Sequence, residues 1–148
     1  MITFSKGNVQ TVRDNEALTR QHWNEIVKDG RKLEIDWDLF EALQNSGSLR
    51  VYVAQEDDEV LGYAAFVLQR HLHSKSCLVA NNDAVFLRKD RRAYGAGLQF
   101  LAYCDEQLRQ EGVSMIFWHI KPARDFSGTL EQLGYELHET IYAKFIGG

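Results

Sequence analysis

The stretch RKDRRAYGAG, residues 88 to 97, sets Arg88, Lys89, Arg91 and Arg92 around a single Asp90, then follows them with Gly-x-Gly and an apolar run. Residue types in this order suit a phosphate-bearing ligand. Glycines let the backbone approach a ligand closely, and the first N–H groups of a helix lack intrahelical partners. The positive end of the helix dipole adds to them, and flanking cations can supply charge-assisted hydrogen bonds. The alternative is a basic turn in which Gly95 and Gly97 only permit a tight bend. Two common nucleotide motifs are excluded: the chain has no G-x-x-x-x-G-K-[ST], and no G-x-G-x-x-G on a first strand.

A second polar group precedes it. Asn81, Asn82 and Asp83 interrupt an otherwise apolar strand pattern, and asparagine and aspartate disfavour strands. Either they form a turn or a bulge capped by side-chain hydrogen bonds, or Asp83 is kept for chemistry. His119 could serve as a base, its ordinary pKa lying near neutrality, or be a structural histidine. His71 and His73 share one face of an extended segment, but two histidines make a poor metal site, and no metal is expected.

The elements that must position these residues follow from periodicity. ITFS reads as a first strand. Residues 13–28 read as a helix closed by Gly30, and DWDLFEALQNSG as a second helix capped by Asp36. LRVYVAQ and EVLGYAAFVLQ are strands joined as a hairpin at Asp57-Asp58. RHLHSKS reads as a polar break before the strand CLVANNDAVFL. A helix is predicted from Ala96 to Glu111 with Leu98, Leu101, Ala102 and Leu108 inward, then a strand VSMIFWHI, a short helix over DFSGTLEQLG, and one or two strands in YELHETIYAKFI. The order is β-α-α-β-β-β-α-β-α-β, an antiparallel meander feeding a β-α-β unit.

Size and composition bound the function. At 148 residues with one proline, the chain reads as one domain, 1–148, with no linker. A net charge of −4 excludes a general nucleic-acid binder, so the local basic patch suits a small anion. Cys77 and Cys104 lack metal-type spacing and read as buried reduced thiols. With no apolar leader and no run near the ~20 residues of a membrane span, a cytoplasmic protein without a membrane partner is expected.

The segment VFLRKDRRAYGAG resembles the acetyl-CoA motif of the GNAT acetyltransferase superfamily, [Arg/Gln]-x-x-Gly-x-[Gly/Ala], here Arg92-Ala93-Tyr94-Gly95-Ala96-Gly97. LEQLGYEL is similar to the family's entry into its last strands, and the element order is similar throughout. The resemblance implies an α/β (α+β) fold: a central mixed, mostly antiparallel, twisted sheet of six or seven strands, about four flanking helices, and a β-α-β acetyl-CoA-binding unit. It implies acetyl transfer from acetyl-CoA to a primary amine by direct attack in a ternary complex, with a small-molecule or peptide acceptor. A homodimer is compatible with it. The other reading is a non-catalytic acyl-CoA-binding or protein-interaction module.

By the same resemblance, the backbone of Arg92, Ala93, Tyr94, Gly95, Ala96 and Gly97 would hold the pyrophosphate. The pantetheine arm would pair with Val85, Phe86 and Leu87, in a slot made where that strand splays from VSMIFWHI. Asp83 would be base or substrate ligand. The family's usual tyrosine acid falls on Leu130, which cannot donate a proton. Tyr142 is the chosen substitute, with Tyr103, Tyr94 and His119 as others, or no acid at all, since a thiolate leaves readily near neutral pH. Glu34, Asp36, Asp38 and Glu41 would lie over the acceptor site, or else cap a helix and face solvent.

Overall fold

A computed structural model describes residues 1–147. The order is β1 (Thr3–Gly7), α1 (Val9–Asp14), α2 (Glu16–Ile26), α3 (Trp37–Asn45), β2 (Leu49–Glu56), β3 (Glu59–His71), β4 (Ser74–Leu87), α4 (Ala96–Gln110), β5 (Met115–Phe117) and α5 (Ser127–Gln132). The sheet runs β1-β2-β3-β4-β5, with β1 to β4 antiparallel and β5 parallel to β4.

Local chemistry accounts for most boundaries. Asp57 and Asp58 take φ of 50° and 68°, so two left-handed residues turn β2 into β3 in the twist sense that hairpins prefer. Asp36 caps α3, its Oδ1 accepting from the Leu39 N–H at 2.9 Å. The region 13–28 is not one helix. Asn8 and Thr11 form a capping box that starts α1 earlier, at Val9. Asn15 then breaks the ladder, and its side-chain amide donates to the Thr11 carbonyl at 2.8 Å.

The β3–β4 hairpin is longer than the residue pattern implies. Its polar end still pairs, Arg70 with Leu78 and His71 with Ser74, because the ladder needs only backbone groups once the strands project beyond the core. RHLHSKS is therefore the hairpin tip rather than a break. There His73 donates its N–H to His71 Nδ1 at 3.1 Å.

Both faces of the sheet are covered. Tyr52, Leu61, Phe66 and Ala80 pack under Phe100, Cys104 and Leu108 of α4. On the other face Val51, Val53, Tyr63 and Phe86 meet Val9, Val12 and Leu18, with Trp37 and Phe40 of α3 beside them. Phe100 rather than Ala102 is the centre of the buried face of α4, and Leu98 is half-buried at its edge. Cys104 is buried as expected, whereas Cys77 is only half-buried.

Among the described residues the sheet has five strands rather than six or seven, and five α-helices flank it, in keeping with the expected number of about four. The expected closing strands in residues 135–146 form no ladder. β5 is also shorter than VSMIFWHI, because its ladder stops at Phe117. The next residue, Trp118, packs edge-on against Phe66 at 5.1 Å, with Phe126 and Tyr135 around it. Among the described residues no helix is long and apolar enough to cross a membrane.

Candidate active site

β4 and β5 share only three paired positions, Val79 with Met115, Ala80 with Ile116 and Asn81 with Phe117. Beyond them the strands part and enclose a cleft of about 380 Å³. One wall is β4 from Asn82 to Leu87; the other runs from His119 through Lys121 and Arg124 into α5. The N-terminus of α4 and the side chains of His22 and Ile26 close the space. Because no strand pairs with this edge of β4 past Asn81, its backbone groups there, apart from the Leu87 carbonyl that accepts from Arg92 Nε, can meet a ligand that hydrogen-bonds like a strand.

The three polar residues that interrupt β4 form a bulge at this point. Ala65 of β3 pairs with Ala84 and Phe66 with Asn82, so Asp83 is the extra residue. Asn82 is 5% exposed, and its Nδ2 donates to the carbonyls of Ala65 at 3.2 Å and Ala84 at 3.0 Å. The buried amide thus satisfies the carbonyls around the bulge and pins it. The phase of the strand shifts as a result. Leu78 and Ala80 face α4 before the bulge, Val85 and Leu87 after it, and Asp83 is turned into the cleft.

Asp83 is exposed to solvent through the cleft, with the cleft walls near its carboxyl. Burial pushes its pKa above the ordinary carboxylate value, and nearby His119 works against that shift. A carboxyl tuned upward is a better proton acceptor near neutral pH than a solvated one. His22 stands across the cleft with its ring 5.4 Å from Phe86. Burial lowers the His22 pKa; Glu25 opposes that, while Arg92 and Arg124 add to it.

The far end of the cleft is the start of α4. Gly95 adopts φ 76° as N-cap, where a side chain would be strained, and Gly97 follows in the first turn. Neither the Gly97 nor the Leu98 N–H has a partner among the described bonds, so two donors and the positive helix end point at one place. A Cβ at Gly97 would meet no atom within 4 Å. Ala93 and Tyr94 are exposed on the outer side of the turn, with Tyr94 at φ 57°.

The arginines before this turn are not free for a ligand. Arg88 binds Asp90 and Glu59, and Arg91 binds Glu56. Arg92 donates from Nε to the Leu87 carbonyl at 2.7 Å and grips Glu25 with both Nη atoms, at 3.0 and 2.9 Å. Neighbouring carboxylates thus engage three of the four cations before the turn, and among the described residues Lys89 and the backbone N–H groups of Gly97 and Leu98 are left without such a partner. Glu25 also reaches Arg124 at 3.4 Å, joining α2 to both walls of the cleft. Its carboxyl pKa is lowered, chiefly by the hydrogen bonds from Arg92.

Asp83, Val85, Phe86, Leu87, Arg92, Gly95 and Gly97 thus share one cleft. Tyr142 is not brought to it: the side chain is 93% exposed on the segment after α5. Tyr103 packs against Phe4 and Tyr52 on the α4 face of the sheet. Leu130 is buried in α5. Asp36 caps α3, Glu41 pairs with Arg13 at 2.8 Å, and neither lines the cleft, nor do Glu34 and Asp38. His22, Glu25, Lys121 and Arg124 were not singled out by sequence. No local pattern marks them, because helix and loop residues far apart in the chain meet here only through packing.

The family model described as the acetyltransferase (GNAT) family matches residues 15–135. Several solved structures share the fold at low identity. A putative acetyl transferase from Pyrococcus furiosus is 19% identical with a TM-score of 0.75, covering 99% of this chain and 100% of that one. Glucosamine-6-phosphate N-acetyltransferase from Arabidopsis thaliana is 12% identical with a TM-score of 0.75, covering 99% of each chain. A predicted acetyltransferase from Clostridium acetobutylicum, solved with acetyl-CoA, is 13% identical with a TM-score of 0.74, covering 99% of this chain and 97% of that one. No curated protein sequence matches. With a family match that spans the splayed strands, the bulge and the Gly-x-Gly turn, the chain belongs to the GNAT acetyltransferase family.

Proposed function

We propose that the protein transfers an acetyl group from acetyl-CoA to a primary amine, both bound at once in the cleft between β4 and β5. One observation carries the reading. The Asp83 bulge, the open edge of β4 and the unpartnered N–H groups of α4 all face the same space. These groups fit acetyl-CoA in kind: the Gly97 and Leu98 N–H groups suit a pyrophosphate, and the backbone at Val85, Phe86 and Leu87 suits the amides of pantetheine. When bound, the thioester supplies an activated acetyl group.

The chain's own residues do the rest. The walls of the cleft exclude water and hold the acceptor beside β4. Asp83 receives a proton from the ammonium form of the acceptor, freeing the nitrogen lone pair to bond the thioester carbon; as the C–S bond breaks, the nitrogen's surplus proton passes to the departing thiolate. The oriented N–H groups of the β4 edge are donors available to an oxygen that gains negative charge. No side chain in the cleft is needed as acid, since a thiolate is a stable leaving group near neutral pH. The acceptor is a small molecule, as for the glucosamine-6-phosphate enzyme of the same fold, or a peptide.

A second reading keeps the binding and drops the turnover. An acyl-CoA-binding module needs no general acid, and neither Leu130, where the motif resemblance puts a tyrosine, nor the exposed Tyr142 offers one in the cleft. Calorimetry with acetyl-CoA, followed by release of free thiol over a panel of amines and peptides, separates the outcomes. Binding in the micromolar range with thiol release supports the enzyme. Binding without release for any acceptor supports the module, and no binding at about 1 mM overturns both.

A further inference from the structure

Lys121 and Arg124 bracket a tight turn in the wall that faces β4. The Arg124 N–H donates to the Lys121 carbonyl at 2.9 Å, and the two residues form an isolated antiparallel bridge. Residues opposite each other in such a bridge carry their side chains on one face, and both of these line the cleft. Pro122 stands at the second position of the turn, where its ring fixes φ, so the pair is set before a ligand arrives.

The two cations are short of carboxylates. Arg124 reaches one among the described residues, that of Glu25 at 3.4 Å, and both oxygens of that group already accept from Arg92. Lys121 makes no ion pair among the described residues. Asp125, which also lines the cleft, accepts from the Ser127 N–H at 2.9 Å. Burial lowers the Arg124 pKa, and Arg92 lowers it further against the opposing charge of Glu25, so an added anion would relieve the site. The last ladder pair is Asn81 with Phe117; Asp83 is two residues past it on one wall, and Lys121 four residues past it on the other. The turn therefore begins within roughly 7 Å of the level of Asp83 along the slot. One small molecule spans such a gap.

We propose that the acceptor is an amine that also carries an acidic group, a carboxylate or a phosphate, which Lys121 and Arg124 hold while the nitrogen lies at Asp83. This rests on the transfer function proposed above, in which the cofactor's pyrophosphate takes the Gly97 and Leu98 N–H groups and leaves the turn to the acceptor. Arg124 offers a planar fork of N–H donors to two anionic oxygens, and Lys121 adds a point charge beside it. The same two cations repel an acceptor with several ammonium groups, so the turn selects as well as binds.

Matched ligands test it: amino acids, each against its own carboxamide, and glucosamine 6-phosphate against glucosamine. Calorimetry on the full chain, with and without coenzyme A, reads binding alone. Thiol release from acetyl-CoA is followed separately, so a failure of the transfer reaction is told apart from a failure of the anion site. The acidic member of at least one pair should bind about tenfold or more tightly than its neutral partner. Lys121→Gln and Arg124→Gln should each remove most of that difference, and Lys121→Arg should keep it. The affinity of the neutral partner should move less than about twofold in all three. The proposal is overturned if no pair shows the difference, or if the difference survives both glutamine substitutions. Substitutions that instead weaken acetyl-CoA about tenfold and leave the paired ligands unchanged would assign the turn to the cofactor's phosphates, which also overturns it.

Discussion

Replacing Gly97 by alanine separates a phosphate cradle from a permissive turn. The position is in the first turn of α4, carries no positive φ, and has open space where a Cβ would go. Alanine therefore fits the backbone, and the smaller entropy of the unfolded chain should stabilise the fold by about 0.4–1 kcal/mol. For a domain of this length that is a rise in Tm of roughly 1–4 °C. The same methyl group projects from a residue lining the cleft, beside the unpartnered Gly97 and Leu98 N–H groups. Losing one charge-assisted hydrogen bond to an anion costs about 1.5–3 kcal/mol, or roughly tenfold to a hundredfold in affinity. Thermal melting and acetyl-CoA calorimetry on one protein preparation read both numbers. A higher Tm with unchanged affinity would refute the cradle, and a lower Tm would refute the open space. Gly95→Ala is the control: its φ of 76° should make that change destabilising by about 1 kcal/mol.

Two further outcomes follow from the charges around the cleft. Asp83→Asn should lower kcat about 100-fold or more and abolish the acid limb of the pH–rate profile, a limb whose midpoint lies above the ordinary carboxylate pKa because burial raises that of Asp83. The folded-state pKa is raised, so the stability Asp83 provides is present at low pH and lost as pH rises through that value. D83N lacks this loss and should melt no lower than the wild type at pH 7, whereas a clearly lower Tm would mean the ionised carboxylate supports the fold. Glu25→Gln removes the carboxylate that joins Arg92 to Arg124 at the cleft. With the pair partly solvated, the cost should be about 1 kcal/mol at pH 7. Because the folded pKa of Glu25 is depressed, that difference should vanish as pH falls through the depressed value, and melts of the two proteins from pH 7 down to about 3 would show it.

The elements carried by strong local signals are where the sequence placed them. Asp36 opens α3, Asp57-Asp58 turns the first hairpin, and the apolar run after Gly97 is a helix. Boundaries decided by competition were harder to see. Asn15 splits a continuous helical pattern because its side chain takes a backbone acceptor, and the polar hairpin tip pairs although nothing covers it. The final alternating segment has the pattern of a strand but makes no ladder within one chain, since a strand's stability depends on a partner that its own residues do not name.

The same division runs through the site. By itself the sequence determined the Gly-x-Gly turn at the start of α4 and the break in β4 at Asn81-Asn82-Asp83, because both depend on residues adjacent in the chain. It held open whether that break is a bulge or a chemical group, and the structure makes it a bulge: Asn82 pins it, and it turns Asp83 into the cleft. Only the tertiary structure decided that the arginines of RKDRR are held by Glu25, Glu56, Glu59 and Asp90, while the Gly97 and Leu98 N–H groups have no partner among the described bonds. Only it brought His22, Glu25 and Arg124 to the cleft and left Tyr142 outside. Hydrogen-bond capacity and turn geometry are local properties that a sequence displays. Which charges meet across about 70 or 100 residues of chain is set by how the layers pack.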